Sequence, residues 1–374
     1  MGQSPESASY NSDKQGVPFY QGNADFGALY PNPRIWCNKP IKLAKENDIL
    51  ISVRAPVGAL NFSKEECCIG RGLAAITLDS NDFLLEFIYW SLRTGVKELQ
   101  SKSTGSTFKS INKKTLEEVR IPKISLKEQK DIIRNLTLLT NILAKYKHEI
   151  VFLDELVKAR FVEMFGDPVL NEKSWQVIKL GELCSKICSG NTPKGGSDNY
   201  KKEGIMFFRS QNVWKNRLEL DDIVYIDEAT HERMKETSLN YGDILITKTG
   251  RINTENSSLG RSALFLGKND SANINGHVYL VRINSELVNR NFVLQILISP
   301  QYRDLIRRVC VGGIDKRQLN QNHIYDFPII VPPLELQNQF ASFVQEIDKS
   351  RSRIQKSLEA SQELFDSLMQ EYFG

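Results

Sequence analysis

Lysine and arginine residues concentrate in two stretches of the sequence that also hold small hydroxyl residues and glycines. Residues 101–120 contain five Lys or Arg against two Glu, and residues 301–320 contain five Lys or Arg against two Asp. Cations beside small residues allow side chains and backbone N–H groups to approach a phosphate closely. An ordinary solvated loop is the alternative for either stretch alone. The predicted phosphate-binding residues are Lys102, Thr104, Ser106, Lys109, Lys113, Lys114, Arg307, Arg308, Lys316 and Arg317.

Long cationic and amide side chains near predicted strand ends have the chemistry to read DNA bases. In the major groove, arginine forms paired hydrogen bonds with guanine, and asparagine or glutamine does so with adenine. Each such residue is also common as a turn-capping or solvent-facing side chain, so the signal is weak for any one of them. The candidate base-reading residues are Gln21, Asn23, Arg54, Arg71, Arg209, Gln211, Asn212, Lys248, Thr249, Arg251, Asn275 and His277.

The sequence shows no recognisable catalytic or metal-binding constellation. His277 has no accompanying Cys, Ser or Asp arrangement, and the six cysteines and four histidines lack zinc-ligand spacing. Residues 190–196 are glycine-rich but lack the Lys and hydroxyl of a phosphate-binding loop. Asn32-Pro33-Arg34 and Asp167-Pro168-Val169 both fail the Asn/Asp-Pro-Pro-Tyr/Phe motif of methyltransferases. We therefore expect a non-catalytic chain that binds no metal and no cofactor itself.

Length and composition are those of a globular protein with more than one core. The chain has 374 residues, of which 41% are hydrophobic and 25% charged, and a net charge of +4 that permits a polyanionic partner. Its first residues are polar, and no apolar run reaches the roughly 18 residues of a membrane span. We expect a cytoplasmic protein without membrane contact.

The chain consists of two similar copies of one unit. The matching segments are residues 2–5 with 190–193 at an offset of 188, 48–51 with 243–246 at 195, 87–88 with 292–293 at 205, and 165–166 with 373–374 at 208. Such a repeat predicts one structural unit per copy. The growing offset predicts longer loops in the second copy.

Each copy begins with an irregular globular part. Short runs of strand-forming residues alternate there with clusters of Gly, Pro, Asn and Ser. The predicted strands include residues 49–53, 74–78, 206–209, 244–247 and 278–283. The predicted fold class is α+β, with two mixed α/β, β-rich globular parts separated by two long helices in a pseudo-twofold repeat.

A long helix follows the globular part in each copy. Its apolar residues alternate in steps of four and three, which is the a/d seam of a coiled coil. Ser125 and Glu128 form a capping box before the first helix, and Pro332-Pro333 precedes the second. Arg351 and Ser361 interrupt the second seam, and such polar positions can fix register. The predicted seam residues are Ile132, Leu136, Leu139, Leu143, Tyr146, Ile150, Leu153, Phe340, Val344, Ile347, Ile354, Leu358 and Phe365.

Each apolar seam requires a partner. The simplest partner is the seam of the other copy, packed antiparallel, so that the helices hold the two globular parts apart. A helix of about 37 residues is roughly 55 Å long, which exceeds one DNA turn of about 34 Å. Dimerisation of the whole chain is the alternative, and periodicity alone does not decide between the two. The repeat favours intramolecular pairing.

The order and duplication of these motifs resemble the specificity subunit of type I restriction–modification systems. The resemblance rests on Gly-x-[Ser/Thr]-Pro, then Asp-Ile-Leu-Ile, then a basic segment that leads to Ile121-Pro122 or Phe327-Pro328. A helix that opens Leu-x-x-Gln follows, at residues 126–129 and 334–337. Together with the closing Phe-Gly, the likeness covers nearly the whole chain.

The resemblance implies target-recognition domains at residues 1–123 and 174–330, and helical regions at 124–166 and 332–374 that form an antiparallel coiled coil. It implies double-stranded DNA as the ligand, with each domain reading one half of a split site across an unread spacer. The implied partners are two methyltransferase subunits and, in the complete enzyme, restriction and translocase subunits. S-adenosylmethionine, ATP and Mg are expected on those partners, and none of them on this chain.

The second copy has an opening segment, residues 175–182, that has no counterpart before Gly2 in the first copy. We therefore expect the first domain to be truncated relative to the repeat and to read its half-site less strongly.

Two other functions stay open at this point. One is a coiled-coil scaffold that recruits proteins without reading DNA, and the other is an enzyme that modifies DNA in its own right. An exchange of residues 174–328 with those of a relative tests the first, and an activity assay of the isolated chain tests the second.

Overall fold

The computed structural model of the chain describes residues 1–101, 103, 110–254 and 256–374. It divides into two compact units, one formed by residues 1–148 and 355–374 and the other by residues 149–354. Each unit thus contains one globular part and one half of each long helix. The two predicted helical regions, residues 124–166 and 332–374, therefore each contribute to both units.

The first globular part has short strands followed by helices. Its strands are β1 (Tyr10–Asn11), β2 (Val17–Tyr20), β3 (Trp36–Cys37), β4 (Leu43–Ala44), β5 (Ile49–Ser52), β6 (Leu60–Phe62), β7 (Cys67–Ile69) and β8 (Leu73–Ile76). Its helices are α1 (Leu85–Thr94), α2 (Val96–Ser101) and α3 (Lys113–Glu117), and the long helix α4 (Leu126–Phe165) follows them. The strands form two sheets, with the orders β1-β3-β2-β7-β4 and β6-β5-β8.

The second globular part has a similar order of elements. Its strands are β9 (Gln176–Lys179), β10 (Cys184–Ser189), β11 (Ile205–Phe208), β12 (Val213–Trp214), β13 (Arg217–Leu218), β14 (Val224–Ile226), β15 (Ile244–Thr247), β16 (Thr249–Arg251), β17 (Ser262–Leu264), β18 (Ala272–Ile274), β19 (Val278–Ile283), β20 (Val311–Gly312), β21 (Lys316–Gln318) and β22 (Pro328–Val331). Its helices are α5 (Glu228–Arg233), α6 (Arg290–Ile298), α7 (Pro300–Val309) and α8 (Gln321–Tyr325), followed by the long helix α9 (Leu334–Phe373). The sheet orders are β10-β19-β15-β17, β14-β11-β18, β16-β21-β20, β12-β13 and β22-β9.

The predicted strands are confirmed. Residues 244–247 and 278–283 coincide with β15 and β19, and the other three predictions differ from the observed strands by one or two residues at their ends. Strand β5 pairs antiparallel with β6 and β8, just as β15 pairs with β17 and β19. The repeat seen in the sequence is therefore a repeat of strand pairing.

The opening segment of the second copy forms β9, which pairs antiparallel with β22 through Val177 and Ile330. The counterpart of β22 in the first unit, residues 120–123, carries no strand assignment. The second globular part thus has a two-stranded ribbon at its exit that has no equivalent among the described residues of the first.

The core of the first unit forms where α1 meets both long helices. Apolar residues form most of α1, and all six residues from 87 to 92 are buried. Leu136 near the start of α4 and Phe365 near the end of α9 belong to this core, and Phe365 lies 5.9 Å from Trp90, ring centre to ring centre. The start of α4 therefore packs beside the end of α9.

The core of the second unit has the converse arrangement. Phe161 near the end of α4 packs on Phe340 near the start of α9 at 5.5 Å and on Phe292 of α6 at 5.6 Å. Together with the pairing in the first unit, this arrangement makes α4 and α9 antiparallel, so each seam has its partner within the chain. The α+β fold class with an antiparallel coiled coil is confirmed.

The predicted seam residues divide into two groups by burial. The buried ones are Ile132, Leu136, Leu139, Leu143, Phe340, Ile347 and Phe365. The half-buried ones are Tyr146, Ile150, Leu153, Val344, Ile354 and Leu358. The buried group lies where the globular parts cover the helix pair, because two helices alone cannot enclose a side chain on all sides.

The closing Phe-Gly of each copy packs on the globular part of the other copy. The ring of Phe165 lies 4.7 Å from that of Phe292, and the ring of Phe373 lies 5.3 Å from that of Phe87. Since Phe87 and Phe292 are themselves equivalent, the two copies exchange their helix ends in the same way.

The polar residues that precede or interrupt the predicted helix seams form specific contacts in the structure. Ser125 and Glu128 form the predicted capping box, with backbone-to-side-chain hydrogen bonds of 2.9 and 3.2 Å. The hydroxyl of Ser125 also donates to the Glu128 carboxylate at 2.6 Å, and this bond together with the one from the Ser125 backbone N–H lowers the pKa of Glu128. Arg351 forms ion pairs with Asp348 at 2.5 Å and with Asp154 of the other helix. Arg351, which interrupts the predicted seam, thus forms an ion pair between the two long helices.

Candidate nucleic-acid interface

A small three-stranded sheet brings predicted base-reading and phosphate-binding residues together in the second unit. Strand β16 pairs antiparallel with β21, and the register places Arg251 opposite Lys316 and Gly250 opposite Arg317. Residues that face each other across an antiparallel pair lie on the same side of the sheet. Arg251 and Lys316 therefore share one exposed face, although 64 residues lie between them in the chain.

The electrostatics of this sheet favour an anionic ligand. Among the residues that the structure describes, Arg251 pairs with Asp315 at 3.3 Å, and both side chains are more than half exposed. Lys316 has no ion pair with any residue that the structure describes, and the Nε of Arg317 is buried without a hydrogen-bond partner there. Two cations opposite each other with one exposed carboxylate leave a positive surface.

Lys248, which directly follows β15, connects this sheet to the loop that contains Asn275 and His277. The backbone N–H of Lys248 donates to the carbonyl of His277 at 2.8 Å, and the Lys248 carbonyl accepts from Leu319 at 2.8 Å. The side chain of His277 is exposed, whereas Asn275 is 8% exposed and its Oδ1 accepts from the His277 N–H at 3.0 Å. His277 is thus presented to solvent beside β16, and Asn275 shapes the turn that presents it.

The glycine of the duplicated Gly-x-[Ser/Thr]-Pro motif lies directly against the backbone of a neighbouring loop, which in the second copy is the loop that contains Asn275. A Cβ on Gly190 would lie 2.3 Å from the carbonyl oxygen of Asn275, and a Cβ on Gly2 would lie 2.3 Å from that of Gly70. No side chain fits at either position. The motif is therefore structural in both copies.

The backbone hydrogen bonds that surround Lys248 in the second unit recur in the first unit beside Arg54. Its neighbour Val53 donates to the carbonyl of Gly72 at 2.9 Å and accepts from Ile111 at 3.0 Å, and Arg54 forms an isolated bridge with Ser110. These bonds correspond one by one to those of Lys248. Arg54 consequently occupies the position that Thr249 has in the second unit, and its side chain is exposed.

Three further candidates of the first unit lie near this position. A Cβ on Gly72 would lie 2.4 Å from the carbonyl oxygen of Gln21, and the N–H of Arg71 donates to Ser4 at 3.3 Å. Gln21 and Arg71 are exposed, whereas Asn23 is half-buried in a short turn. The structure thus brings Gln21, Arg71 and Arg54 to one region.

The predicted phosphate-binding residues of the first copy fall into two groups. Lys102, Thr104, Ser106 and Lys109 lie outside the described residues. Lys113 and Lys114 are exposed at the start of α3, where Asn112 caps the helix through the N–H of Thr115 at 2.9 Å. Lys113 also lies 3.4 Å from Glu117.

The arginines of α7 lie on a different element from Lys316. Arg307 pairs with Asp304 at 2.9 Å, and Arg308 is exposed in the last turn. Cations in the last turn of a helix also stabilise its dipole. Arg308 is thus the more accessible of the two for an external phosphate.

Arg209, Gln211 and Asn212 form an intramolecular network instead of three free side chains. All three contact the carboxylate of Asp222, at 3.1, 3.0 and 2.7 Å. Asn212 is completely buried, and its Oδ1 accepts from the N–H of Arg209 at 3.0 Å. Burial corrects the prediction for Asn212, whose amide holds a turn. Sequence reasoning missed Asp222, because its partners lie ten or more residues away in irregular chain.

One cluster has the ligand types of a metal site. His231, Glu232 and Asp270 bring their ligand atoms within 4.8 Å of one another. The ammonium group of Lys235 lies 2.7 Å from Glu232 and 2.5 Å from Asp270, and His231 contacts Asp270 at 3.1 Å. Hydrogen bonds from Lys235 and Ser238 lower the pKa of Asp270 to about 2. With Lys235 among the carboxylates, the cluster is an ion-pair network.

No helix within the described ranges is both long and apolar enough to span a bilayer.

Comparison with known proteins gives one consistent result. The family model of the type I restriction modification DNA specificity domain matches residues 5–151 and 172–362. A putative type I restriction enzyme MjaX specificity subunit of Methanocaldococcus jannaschii is 45% identical over 143 residues, which is 38% of this chain and 34% of that protein. The MjaIX specificity subunit of the same organism is 23% identical over 347 residues, 88% of this chain and 77% of that protein.

Solved structures show the same fold. The S subunit of a type I restriction–modification system from M. genitalium has a TM-score of 0.61 at 17% identity, covering 100% of this chain and 92% of that one. A chain from a study of complex assembly and conformational transition of the type I system has a TM-score of 0.57 at 16% identity, with 96% and 91% covered.

Proposed function

The chain belongs to the family of type I restriction–modification DNA specificity subunits, and we propose that each of its units reads one half of a split double-stranded DNA site. The observation that carries this proposal is the repeated hydrogen-bond scheme around Val53 and Lys248. It places Arg54 and Thr249 at equivalent positions beside a basic segment. Two equivalent positions of this kind fit a ligand with two similar parts.

In the second unit, the exposed face of β16 and β21 is the proposed contact surface. Lys316 and Arg317 would bind phosphates, and Arg251 would reach a base edge, since arginine pairs best with guanine. Thr249, Lys248 and His277 lie at the same end of the globular part and complete the surface. Phosphate contacts give affinity for any sequence, whereas base contacts give the choice of sequence.

In the first unit, Arg54, Arg71 and Gln21 would read bases and the lysines at the start of α3 would bind phosphates. The three base-reading candidates are exposed on neighbouring loops, and Lys113 and Lys114 are exposed in the first turn of α3. Because Arg54 stands where the second unit has Thr249, the two units would read different sequences.

The antiparallel helices would set the unread spacer and dock two methyltransferase subunits. Chemistry would then lie with the partners, which would carry S-adenosylmethionine, and with restriction subunits that use ATP and Mg. The proposed role of this chain is to choose the sequence, as a non-catalytic and cytoplasmic subunit. The Lys235-neutralised cluster at Asp270 supports this assignment, because its carboxylates are already paired.

Methylome sequencing tests the proposal. The chain is expressed with the methyltransferase of its own system in cells without other adenine methylation. We expect methylated adenines within one motif made of two short specific parts and a fixed spacer. A continuous motif, or a motif that does not depend on this chain, would contradict the proposal, as would methyl transfer by the isolated chain.

A further inference from the structure

One loop of the second unit is longer than its counterpart in the first. Six residues separate Ser52 from Ala59, whereas thirteen separate Thr247 from Arg261. The flanking bonds are the same, since Ser52 N–H donates to the Ala59 carbonyl at 2.8 Å and Thr247 N–H to that of Arg261 at 2.9 Å. The second copy therefore carries an insertion at this point, directly after β16.

Four consecutive backbone carbonyls of this loop are held from within the unit. Arg261 donates through Nε to the carbonyl of Ser257 at 3.0 Å and through its terminal nitrogen to that of Asn256. The hydroxyl of Thr247 donates to Ser258, and Arg303 donates to Leu259 at 2.5 Å. The path of residues 256–259 is thus fixed by buried side chains.

The two arginines that hold the loop are unusual in their surroundings. Arg261 is 7% and Arg303 8% exposed, and neither has an ion pair with a carboxylate of the described ranges. Arg261 stacks on Trp214 with its guanidinium 3.9 Å from the ring centre. Burial lowers the pKa of Arg303 to about 10 and also lowers that of Arg261. Burying a charge without an opposite charge is costly, and here the hydrogen bonds to the loop carbonyls and the stacking on Trp214 offset part of that cost.

The outer side of the loop presents polar side chains next to the proposed DNA surface. Asn253, Thr254 and Asn256 are exposed, and they follow Arg251 directly in the chain. The N–H of Ile252 donates to the carbonyl of Asp315 at 3.0 Å, which ties the start of the loop to the residue before Lys316. Asparagine amides on a fixed backbone suit recognition of adenine.

We propose that Asn253 and Asn256 are additional base-reading residues of the second unit and that Arg261 and Arg303 are positioning residues for Asn256, whose segment they hold. The inference rests on the proposed function and adds contacts that the first unit lacks, since Ala59 stands where the second unit has Arg261. Because the backbone of residues 256–259 is held before binding, this segment loses little conformational entropy on DNA, which favours discrimination. The two buried positive charges beneath it also attract a polyanion.

The first test is the double substitution Asn253→Ala with Asn256→Ala, in the complex with the methyltransferase. Competition binding with duplexes that carry single base changes should show roughly fivefold or greater loss of discrimination at one or more positions of the second half-site. The first half-site should be read as before. Unchanged discrimination at every position would overturn the proposal. The exposed position of both residues leaves folding unaffected, which a melting curve verifies.

The second test separates positioning from packing. Arg261→Met keeps a side chain of similar bulk over Trp214 but removes the donors to the loop. The control is Arg217→Met, because the Arg217 guanidinium lies 5.5 Å from the centre of the same ring but is paired with Glu219. We expect Arg261→Met to relax the same positions as the asparagine substitutions, with Arg261→Lys restoring part of the discrimination. Arg217→Met should change no position. Equal effects of both methionine variants would overturn the positioning role.

Failure of this proposal and failure of the proposed function give different results. If the asparagine variants leave both half-sites unchanged while exchange of residues 174–328 alters one half-site, only the loop assignment is wrong. If that exchange alters neither half-site, the reading of DNA by this unit is itself wrong.

Discussion

The side chain of Gln337 accepts a hydrogen bond from the backbone N–H of Asn289 at 2.9 Å while it is completely buried. Its amide nitrogen donates to the Pro332 carbonyl at 2.7 Å. Gln129 has the same role in the first unit, where it accepts from Leu84 at 2.8 Å. The Leu-x-x-Gln motif thus ties the start of each long helix to the start of the short helix that packs on it.

Replacement of Gln337 by Leu should destabilise the second unit. The N–H of Asn289 and the Pro332 carbonyl would remain buried without this partner, at a cost of about 1–3 kcal/mol for each group. Urea denaturation followed by circular dichroism measures the change. The matched control is Gln355→Leu, an exposed position of the same helix, which should alter the free energy of unfolding by less than about 0.5 kcal/mol. Equal effects of both would contradict this role.

Elements with local signals could be predicted from the sequence. The capping box at Ser125 and the strands β15 and β19 follow from neighbouring residues and from alternating hydrophobicity. The antiparallel helix pair followed from two seams and one repeat. These features depend on short-range chemistry or on a period that one sequence displays.

Features that depend on contacts between distant segments could not be predicted. The burial of Asn212 requires Asp222, and the fixed loop after β16 requires Arg303 of α7. The only sequence signal for that loop was the increase in the repeat offset after residue 246. Likewise, the exchange of helix ends explains the closing Phe-Gly, but a two-residue motif does not reveal what it packs on.

The ion pair between Arg351 and Asp154 should contribute to pairing of the helices. Arg351→Met would leave Asp154 and Asp348 near each other without their shared cation, and we expect a loss of about 0.5–1 kcal/mol at neutral pH. The loss should shrink as the pH falls toward 4, because burial raises the pKa of Asp348 and protonation of that carboxyl group removes the repulsion. Denaturation of both proteins at the two pH values checks this, and a double-mutant cycle with Asp154→Asn isolates the pair. Additive effects in that cycle would show that the pair contributes nothing.

The network at Asp270 should make stability pH-dependent in acid. Its pKa of about 2 is below the ordinary value of about 3.9. A carboxyl group with a lowered pKa stabilises the folded state fully above the ordinary value and loses that contribution as the pH falls toward 2. Asp270→Asn should therefore destabilise at pH 6 more than at pH 2.5. A difference between the two proteins that is independent of pH would contradict the assigned ionisation.

Lys316 should bind phosphate without sequence preference. In the complex with the methyltransferase, Lys316→Gln should weaken binding to specific and unrelated duplexes by similar factors. The slope of log affinity against log salt should fall by about 0.9. Lys349→Gln is the matched control, since Lys349 is exposed on α9 and paired with Glu346 at 2.7 Å, and it should leave the slope unchanged. Loss of affinity for one sequence only would instead assign Lys316 to base reading.

The central claim is that each unit reads one half of the DNA site, and exchange of residues 174–328 for the corresponding segment of a relative with a different target tests it most directly. The helices and the first globular part remain those of this chain. Methylome sequencing of cells that express the hybrid with the methyltransferase should show one half of the motif replaced and the other half and the spacer retained. A motif that remains unchanged, or one that changes in both halves, would contradict the claim.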